Sequence, residues 1–182
     1  MTLSRIDGVL AFEGQRLDNL AEAFGTPSYI YSAQTIASNY HAFEHAFREL
    51  EPLICYAVKA NANLSILAKL ASLGSGFDIV SGGELARVKR AGGSTKHVVF
   101  SGVGKTADEI RDALIEGIHC FNVESEAELS LLASIAESIG VTAPVSIRVN
   151  PDVDPKTHPY IATGLLEAKF GLSMNTALDL YR

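Results

Sequence analysis

The sequence predicts an α/β fold in which parallel strands alternate with helices, and three observations carry the prediction. Short apolar runs recur at an even beat, centred near positions 55, 78, 99, 121 and 147, with steps of 23, 21, 22 and 26 residues. The stretches between them place apolar residues at the helical period. Three of those stretches open on the S/T-x-x-E pattern of a capping box, in phase with the same beat. The apolar runs are continuous rather than alternating, which predicts strands buried on both faces of a helix-covered parallel sheet.

Taken in order, Pro27 to Tyr31 is a candidate strand. Thr35 to Leu50 follows as an amphipathic helix, with Ile36, Tyr40, Phe43, Phe47 and Leu50 at steps of 4, 3, 4 and 3. Leu53 to Val58 is the first strong strand, and Leu64, Leu67, Leu70 and Ala71 mark the helix after it. Phe77 to Val80, His97 to Phe100, Cys120 to Val123 and Val145 to Val149 are the next four strands. Ile110, Ala113 and Leu114 mark one intervening helix, and Leu129, Leu132, Ala133, Ala136 and Ile139 another. Ser81 with Glu84, Thr106 with Glu109 and Ser125 with Glu128 are the three capping boxes; Gly74, Gly92 and Gly140 stand where helices should stop. Met174, Ala177 and Leu178 begin a further helix.

Five such units fit either a doubly wound open sheet or the first part of a (β/α)₈ barrel, which takes about 250 residues in full. The pattern breaks off two turns into its last helix, which favours the barrel, cut short.

Composition narrows the function. The 182 residues are 47% hydrophobic and 20% charged, with a net charge of −6, so nothing favours a polyanionic partner such as nucleic acid. A membrane-spanning helix needs about 20 predominantly apolar residues, and no such run occurs. The N-terminus lacks the basic start and apolar run of a secretory signal, so the cytosol is the expected location. Cys55 and Cys120 sit in apolar stretches without metal-ligand spacing, and no metal site is expected.

In either architecture chemistry gathers at the C-terminal ends of the strands. Those ends carry Lys59, Asp78, Ser81, Ser101, Glu124, Arg148 and Asn150. Lys59 follows a mostly apolar strand; burial there would favour the neutral amine that attacks carbonyls, making it a Schiff-base candidate. It could instead be a structural lysine, snorkelling to the barrel mouth or paired with Asp78, a carboxylate that needs a partner if buried, or a residue that binds a phosphate or carboxylate. Arg148 could orient a cofactor or substrate, or close a salt bridge at the sheet mouth. Ser101 to Thr106 ends like a phosphate-binding loop, but Val99 stands where the first glycine is required, which excludes that reading. Asn150 to Gly164 is a long, polar, proline-rich segment after a strand end, either a functional loop of a barrel enzyme or a packed surface loop.

With these residues in place, the sequence resembles the fold-type III pyridoxal-phosphate decarboxylases, the group that includes ornithine, arginine and diaminopimelate decarboxylases. The carriers are Tyr56-Ala-Val-Lys59-Ala-Asn61, Phe77-Asp-Ile-Val-Ser-Gly-Gly-Glu84, Phe100-Ser-Gly-Val-Gly-Lys-Thr106 and Phe121-Asn-Val-Glu-Ser125. Ser146-Ile-Arg-Val-Asn-Pro151, His158-Pro-Tyr-Ile-Ala-Thr-Gly164 and Lys169-Phe-Gly171 are similar to the diaminopimelate branch.

The resemblance implies a barrel of the alanine racemase/ornithine decarboxylase type, here about its first five βα units. It implies pyridoxal 5′-phosphate as cofactor, with Lys59 catalytic and covalently attached to it. Asp78 and Arg148 would bind the cofactor, and Glu84 would support Asp78 from behind. Residues 1–27 would associate with a separate β-domain, and 28–182 would begin the barrel of a roughly twofold longer homodimeric enzyme, the segment alone being inactive. The implied reaction is decarboxylation of meso-2,6-diaminopimelate to L-lysine, the last step of lysine biosynthesis. The alternatives are another amino-acid or polyamine decarboxylase, or a non-catalytic cofactor-binding protein. In the family, the ring-stacking histidine, the phosphate-site glycines, the acid facing the pyridine nitrogen, and the substrate arginine and cysteine follow later in the chain.

Overall fold

The computed structural model describes residues 3–150 and 171–181. The chain divides into two compact units, residues 1–52 and 53–182.

The first unit opens with an antiparallel three-stranded sheet of β1 (Leu3–Ile6), β2 (Val9–Phe12) and β3 (Gln15–Arg16). Helix α1 (Leu17–Phe24) follows, then α2 (Ala33–Ala46). Ser32 caps α2 by accepting the Thr35 N–H at 2.8 Å, and Glu13 accepts from the Ser32 hydroxyl. The expected helix of residues 35–50 breaks at Phe47, after which Arg48–Leu50 form a 3₁₀ turn. The expected strand at Pro27 to Tyr31 does not form. That segment is irregular and pairs with no sheet, and Tyr29, Ile30 and Tyr31 are exposed. β-branched and aromatic content alone does not make a strand where no neighbour offers a ladder.

The second unit is a five-stranded parallel sheet of β4 (Cys55–Ala57), β5 (Gly76–Ile79), β6 (Val98–Phe100), β7 (Cys120–Val123) and β8 (Val145–Ile147). Helices α3 (Leu64–Ser72), α4 (Gly82–Arg90), α5 (Ala107–Ile115) and α6 (Glu126–Ser138) connect consecutive strands. Spatial order equals chain order, β4-β5-β6-β7-β8. A doubly wound sheet reverses direction at a switch point, and this one does not. The winding is that of a barrel in progress, extended by β9 (Val149–Asn150), which pairs in parallel with β10 (Leu172–Ser173) ahead of α7 (Met174–Leu180).

The sheet is not buried equally on its two faces, as the continuous apolar runs had suggested. Phe77, Ile79, Val98, Phe100, Phe121, Val123 and Ile147 are buried; the alternating Asp78, Val99, Ser101, Cys120 and Asn122 are only half-buried. Helices cover one face, where Leu67, Val88, Ile110 and Leu132 fill the core with the strand aromatics. Phe100 and Phe121 stack there with centroids 6.0 Å apart. Each buried side chain of this size contributes about 1.5–3 kcal/mol. The other face is the inner wall of the barrel and carries the polar residues.

The helix boundaries follow the local signals. Gly74, Gly92 and Gly140 follow their helices at φ of +86°, +82° and +70°, a region that favours glycine. Thr106 and Glu109 form a complete capping box. In the other two, Ser81 and Ser125 accept from the N–H groups of Glu84 and Glu128, but the carboxylates reach one residue further back. Glu84 accepts from Val80 N–H at 2.7 Å and Glu128 from Glu124 N–H at 3.1 Å. Each glutamate thereby ties the exit of a strand to the start of the next helix.

Candidate active site

Val58 is fully buried and anchors a 3₁₀ turn, Val58–Ala60, at the end of β4. Tyr56 spans that turn by donating its hydroxyl to the Asn61 carbonyl at 3.3 Å. Asn61 Oδ1 accepts from Asn63 N–H at 3.0 Å, and Asn63 Oδ1 caps α3 by accepting from Ser65 N–H at 2.9 Å. The two asparagines convert a strand into a helix within six residues and leave Lys59 projecting from the bend.

Lys59 is exposed, so the low-dielectric surroundings expected from its apolar flanks are not built by the described residues. It has no hydrogen bond or ion pair among them. Of the two structural alternatives, pairing with Asp78 is not what the structure shows, whereas an exposed side chain at the strand-end mouth is. Asp78 instead accepts from Ser101 Oγ at 2.5 Å, and Asn122 Nδ2 donates to the same oxygen at 3.0 Å. A ladder of Asp78, Ser101 and Asn122 thus crosses β5, β6 and β7 on the inner wall. The negative charge of Asp78 is also felt at Cys55, whose thiol is pushed up mainly by burial and further by that carboxylate.

Arg148 follows β8 and pairs with Glu124, which follows β7, at 3.0 Å. Glu124 Oε1 accepts from Gly102 N–H at 3.0 Å. Behind them lies Lys105, its side chain 1% exposed, which donates to Glu128 at 2.6 Å, to the Gly102 carbonyl at 2.7 Å and to the Asn122 carbonyl at 2.9 Å. The lysine of the loop that resembled a phosphate-binding motif is therefore committed inside the protein. Glu84 holds the Val80 N–H at the exit of β5, so any support it gives Asp78 passes through the backbone.

Asp78 and Arg148 thus lie on the strand-end rim with Lys59, held by Ser101 and Glu124. Sequence reasoning placed Ser101 and Glu124 at strand ends without a role, and missed Asn122 and Lys105. Asn122 was signalled by a lone polar residue between Phe121 and Val123. Lys105 had no such signal, because its carboxylate partner is 23 residues away. The strand-end loop from Pro151 to Gly164 and the Lys169-Phe170 stretch lie outside the described residues.

The winding and the polar strand-end rim define a barrel-type α/β domain, and barrel enzymes place their chemistry at the C-terminal ends of the strands. The chain belongs to the family described as "Pyridoxal-dependent decarboxylase, pyridoxal binding domain", which matches residues 33–182. It is 56% identical over 180 residues to the diaminopimelate decarboxylase of Pseudomonas aeruginosa, covering 99% of this chain and 43% of that protein. To the diaminopimelate decarboxylase of Neisseria meningitidis serogroup A it is 58% identical over 163 residues, 90% of this chain and 40% of that one. The crystal structure of M. jannaschii diaminopimelate decarboxylase in complex with L-lysine superposes with a TM-score of 0.89 at 42% identity, covering 99% of this chain and 43% of that one. The chain therefore spans about two fifths of the length of these relatives.

Proposed function

We propose that this chain is the cofactor-holding part of a decarboxylase that converts meso-2,6-diaminopimelate to L-lysine and carbon dioxide, as the last step of lysine biosynthesis. The observation that carries the reading is Lys59: an exposed primary amine, uncommitted among the described residues, on the rim of a barrel-type sheet. Its chain is more than half identical to decarboxylases of that specificity.

The donor set fits pyridoxal 5′-phosphate. An aldehyde requires an amine not already tied up in an ion pair, and Lys59 offers one. An anionic, hydroxylated ring suits a guanidinium and a carboxylate held apart from each other, which Arg148 on Glu124 and Asp78 on Ser101 provide. When bound, the cofactor supplies a carbonyl for covalent attachment and a conjugated ring that accepts the electron pair left by the departing carboxylate.

The remaining work falls to the protein. Lys59 Nζ would hold the cofactor and, once released to the substrate, would be the amine available to move a proton at the reacting carbon. Asp78 and Arg148 orient the ring. The hydroxyl of Ser101 keeps the Asp78 carboxylate directed along the inner wall, and Asn122 fixes that hydroxyl. In the same reading residues 1–27 associate with a β-domain of the longer protein, which works as a cytoplasmic homodimer.

The test is a product assay on the full-length protein. Carbon dioxide and lysine should appear in equal amounts from meso-diaminopimelate; release from ornithine or arginine instead overturns the substrate. Lys59→Ala should remove both turnover and the visible absorbance of covalently bound cofactor, and retention of both refutes the role of Lys59.

A further inference from the structure

Two carboxylates and two cations meet at the strand-end rim and just behind it, and the pairing among them is specific. Lys105 goes to Glu128, and Arg148 goes to Glu124. The second oxygen of Glu128 accepts from the backbone N–H of Glu124 at 3.1 Å. Glu124 is therefore held at its backbone by Glu128 and at its carboxylate by Gly102 N–H. Its side chain is 2% exposed, whereas that of Arg148 is 41% exposed.

We propose that Glu124 is a positioning residue for Arg148: a buried, pre-anchored carboxylate that fixes the direction of the guanidinium toward the cofactor. The inference rests on the proposed function for what Arg148 faces, but not for how Arg148 is held. In an ion pair whose carboxylate is buried and anchored at several points, the carboxylate constrains the geometry of the pair. Glu124 is such a carboxylate: removing it from water without a partner is costly, and every one of its attachments is internal. Guanidinium is a planar fork, so holding Nη1 of Arg148 narrows the directions open to its other N–H groups. Lys105 completes the device by neutralising Glu128, which leaves Glu124 to the arginine. The contacts from Lys105 through Glu128 and Glu124 to Arg148 do not include Lys59 or the Asp78 carboxylate, and they adjoin the Asp78 ladder at the Asn122 backbone.

The experiment uses the full-length protein with Glu124→Gln, Glu124→Asp, Arg148→Met and the double variant Glu124→Gln/Arg148→Met. Glutamine keeps an acceptor for Gly102 N–H and removes the charge, and Arg148 is exposed enough to be solvated, so this variant folds. It should weaken pyridoxal 5′-phosphate binding about tenfold, the size typical when a group that orients a ligand-holding residue is lost. It should also shift the absorption band of the bound cofactor. In the cofactor-free protein it should raise the modification rate of Arg148 by an arginine-selective dicarbonyl severalfold, read by peptide mass spectrometry. Glu124→Asp, which keeps the charge, should recover part of each effect. In the Arg148→Met background Glu124→Gln should add nothing to the loss of affinity.

An unchanged modification rate overturns the proposal, as does a full effect of Glu124→Gln in the absence of Arg148. If both cofactor readouts behave as expected while diaminopimelate is not decarboxylated, the substrate reading fails and the positioning role stands. If the unsubstituted protein binds no pyridoxal 5′-phosphate, both fall.

Discussion

The Glu109 carboxylate accepts from Gly82 N–H at 2.8 Å and from Thr106 N–H at 3.0 Å, so one side chain caps its own helix and the start of the helix before it. These two backbone donors, Thr106 first, hold the Glu109 carboxyl below its ordinary value. The folded state therefore binds this proton less readily than the unfolded chain. The stabilisation is fully present above the unfolded value, about 4.3, and is lost as pH falls through the lower folded value. Glu109→Ala should cost about 1–2 kcal/mol at neutral pH. Chemical denaturation of the full-length protein checks this: the gap between it and the variant should close on acidification, and a gap that widens contradicts the assignment.

That double cap also marks what a sequence can disclose. The strands and their helices were legible because burial on one face imposes a helical period and a strand beat, and residues such as Phe77, Phe100 and Phe121 sit where that beat puts them. Lys59, Asp78 and Arg148 were legible as strand-end residues. Their partners were not. Thr106-x-x-Glu109 announces a bond within one helix, but the bond from Glu109 to Gly82 joins residues 27 apart. Ser101 reaches Asp78 only because the sheet lays β6 beside β5. The failed strand at Pro27 to Tyr31 has the same origin, since strand formation depends on a neighbour the local sequence does not specify.

Lys105 supplies a sharper case. Its ammonium satisfies three internal acceptors and lies 5.6 Å from the centroid of the Phe100 ring. Lys105→Met should destabilise the protein by about 3–5 kcal/mol, because Glu128 is left as a largely buried charge without its cation. Adding Glu128→Gln should recover part of that loss, since glutamine still accepts from Glu124 N–H. A double-mutant cycle on denaturation midpoints measures the coupling, and strictly additive losses would show that the pair is not interacting.

The two thiols should be slow nucleophiles. Burial pushes Cys55 up, with Asp78 adding to it, and burial alone pushes Cys120 up. Thiolate is the reactive form, so little of either is available at neutral pH. Alkylation of the folded protein at pH 7 should lag behind that of a small free thiol, and should accelerate as pH rises. Asp78→Asn removes only the smaller of the two causes at Cys55, so it should speed Cys55 modestly and leave Cys120 unchanged.

Gly76 lies where β4 and the turn before β6 crowd β5. A Cβ built there would lie 2.6 Å from the His97 carbonyl oxygen and 2.8 Å from the Cys55 sulfur, and the first of these belongs to the backbone and cannot rotate away. Gly76 pairs with Cys55 in the register of β4 and β5, so any shift would be passed to the strand that carries Lys59. Gly76→Ala should therefore destabilise by about 1–3 kcal/mol, the usual cost of overpacking. Gly83, in the first turn of α4, is the control. There a Cβ meets only Ser81 Oγ at 3.8 Å, and alanine should be neutral or stabilising by about 0.4–1 kcal/mol through the loss of unfolded-chain freedom. Denaturation midpoints moving in opposite directions, or Gly76→Ala alone falling, fit this packing; equal losses at the two positions would place the cost in the backbone and not in the contact with His97.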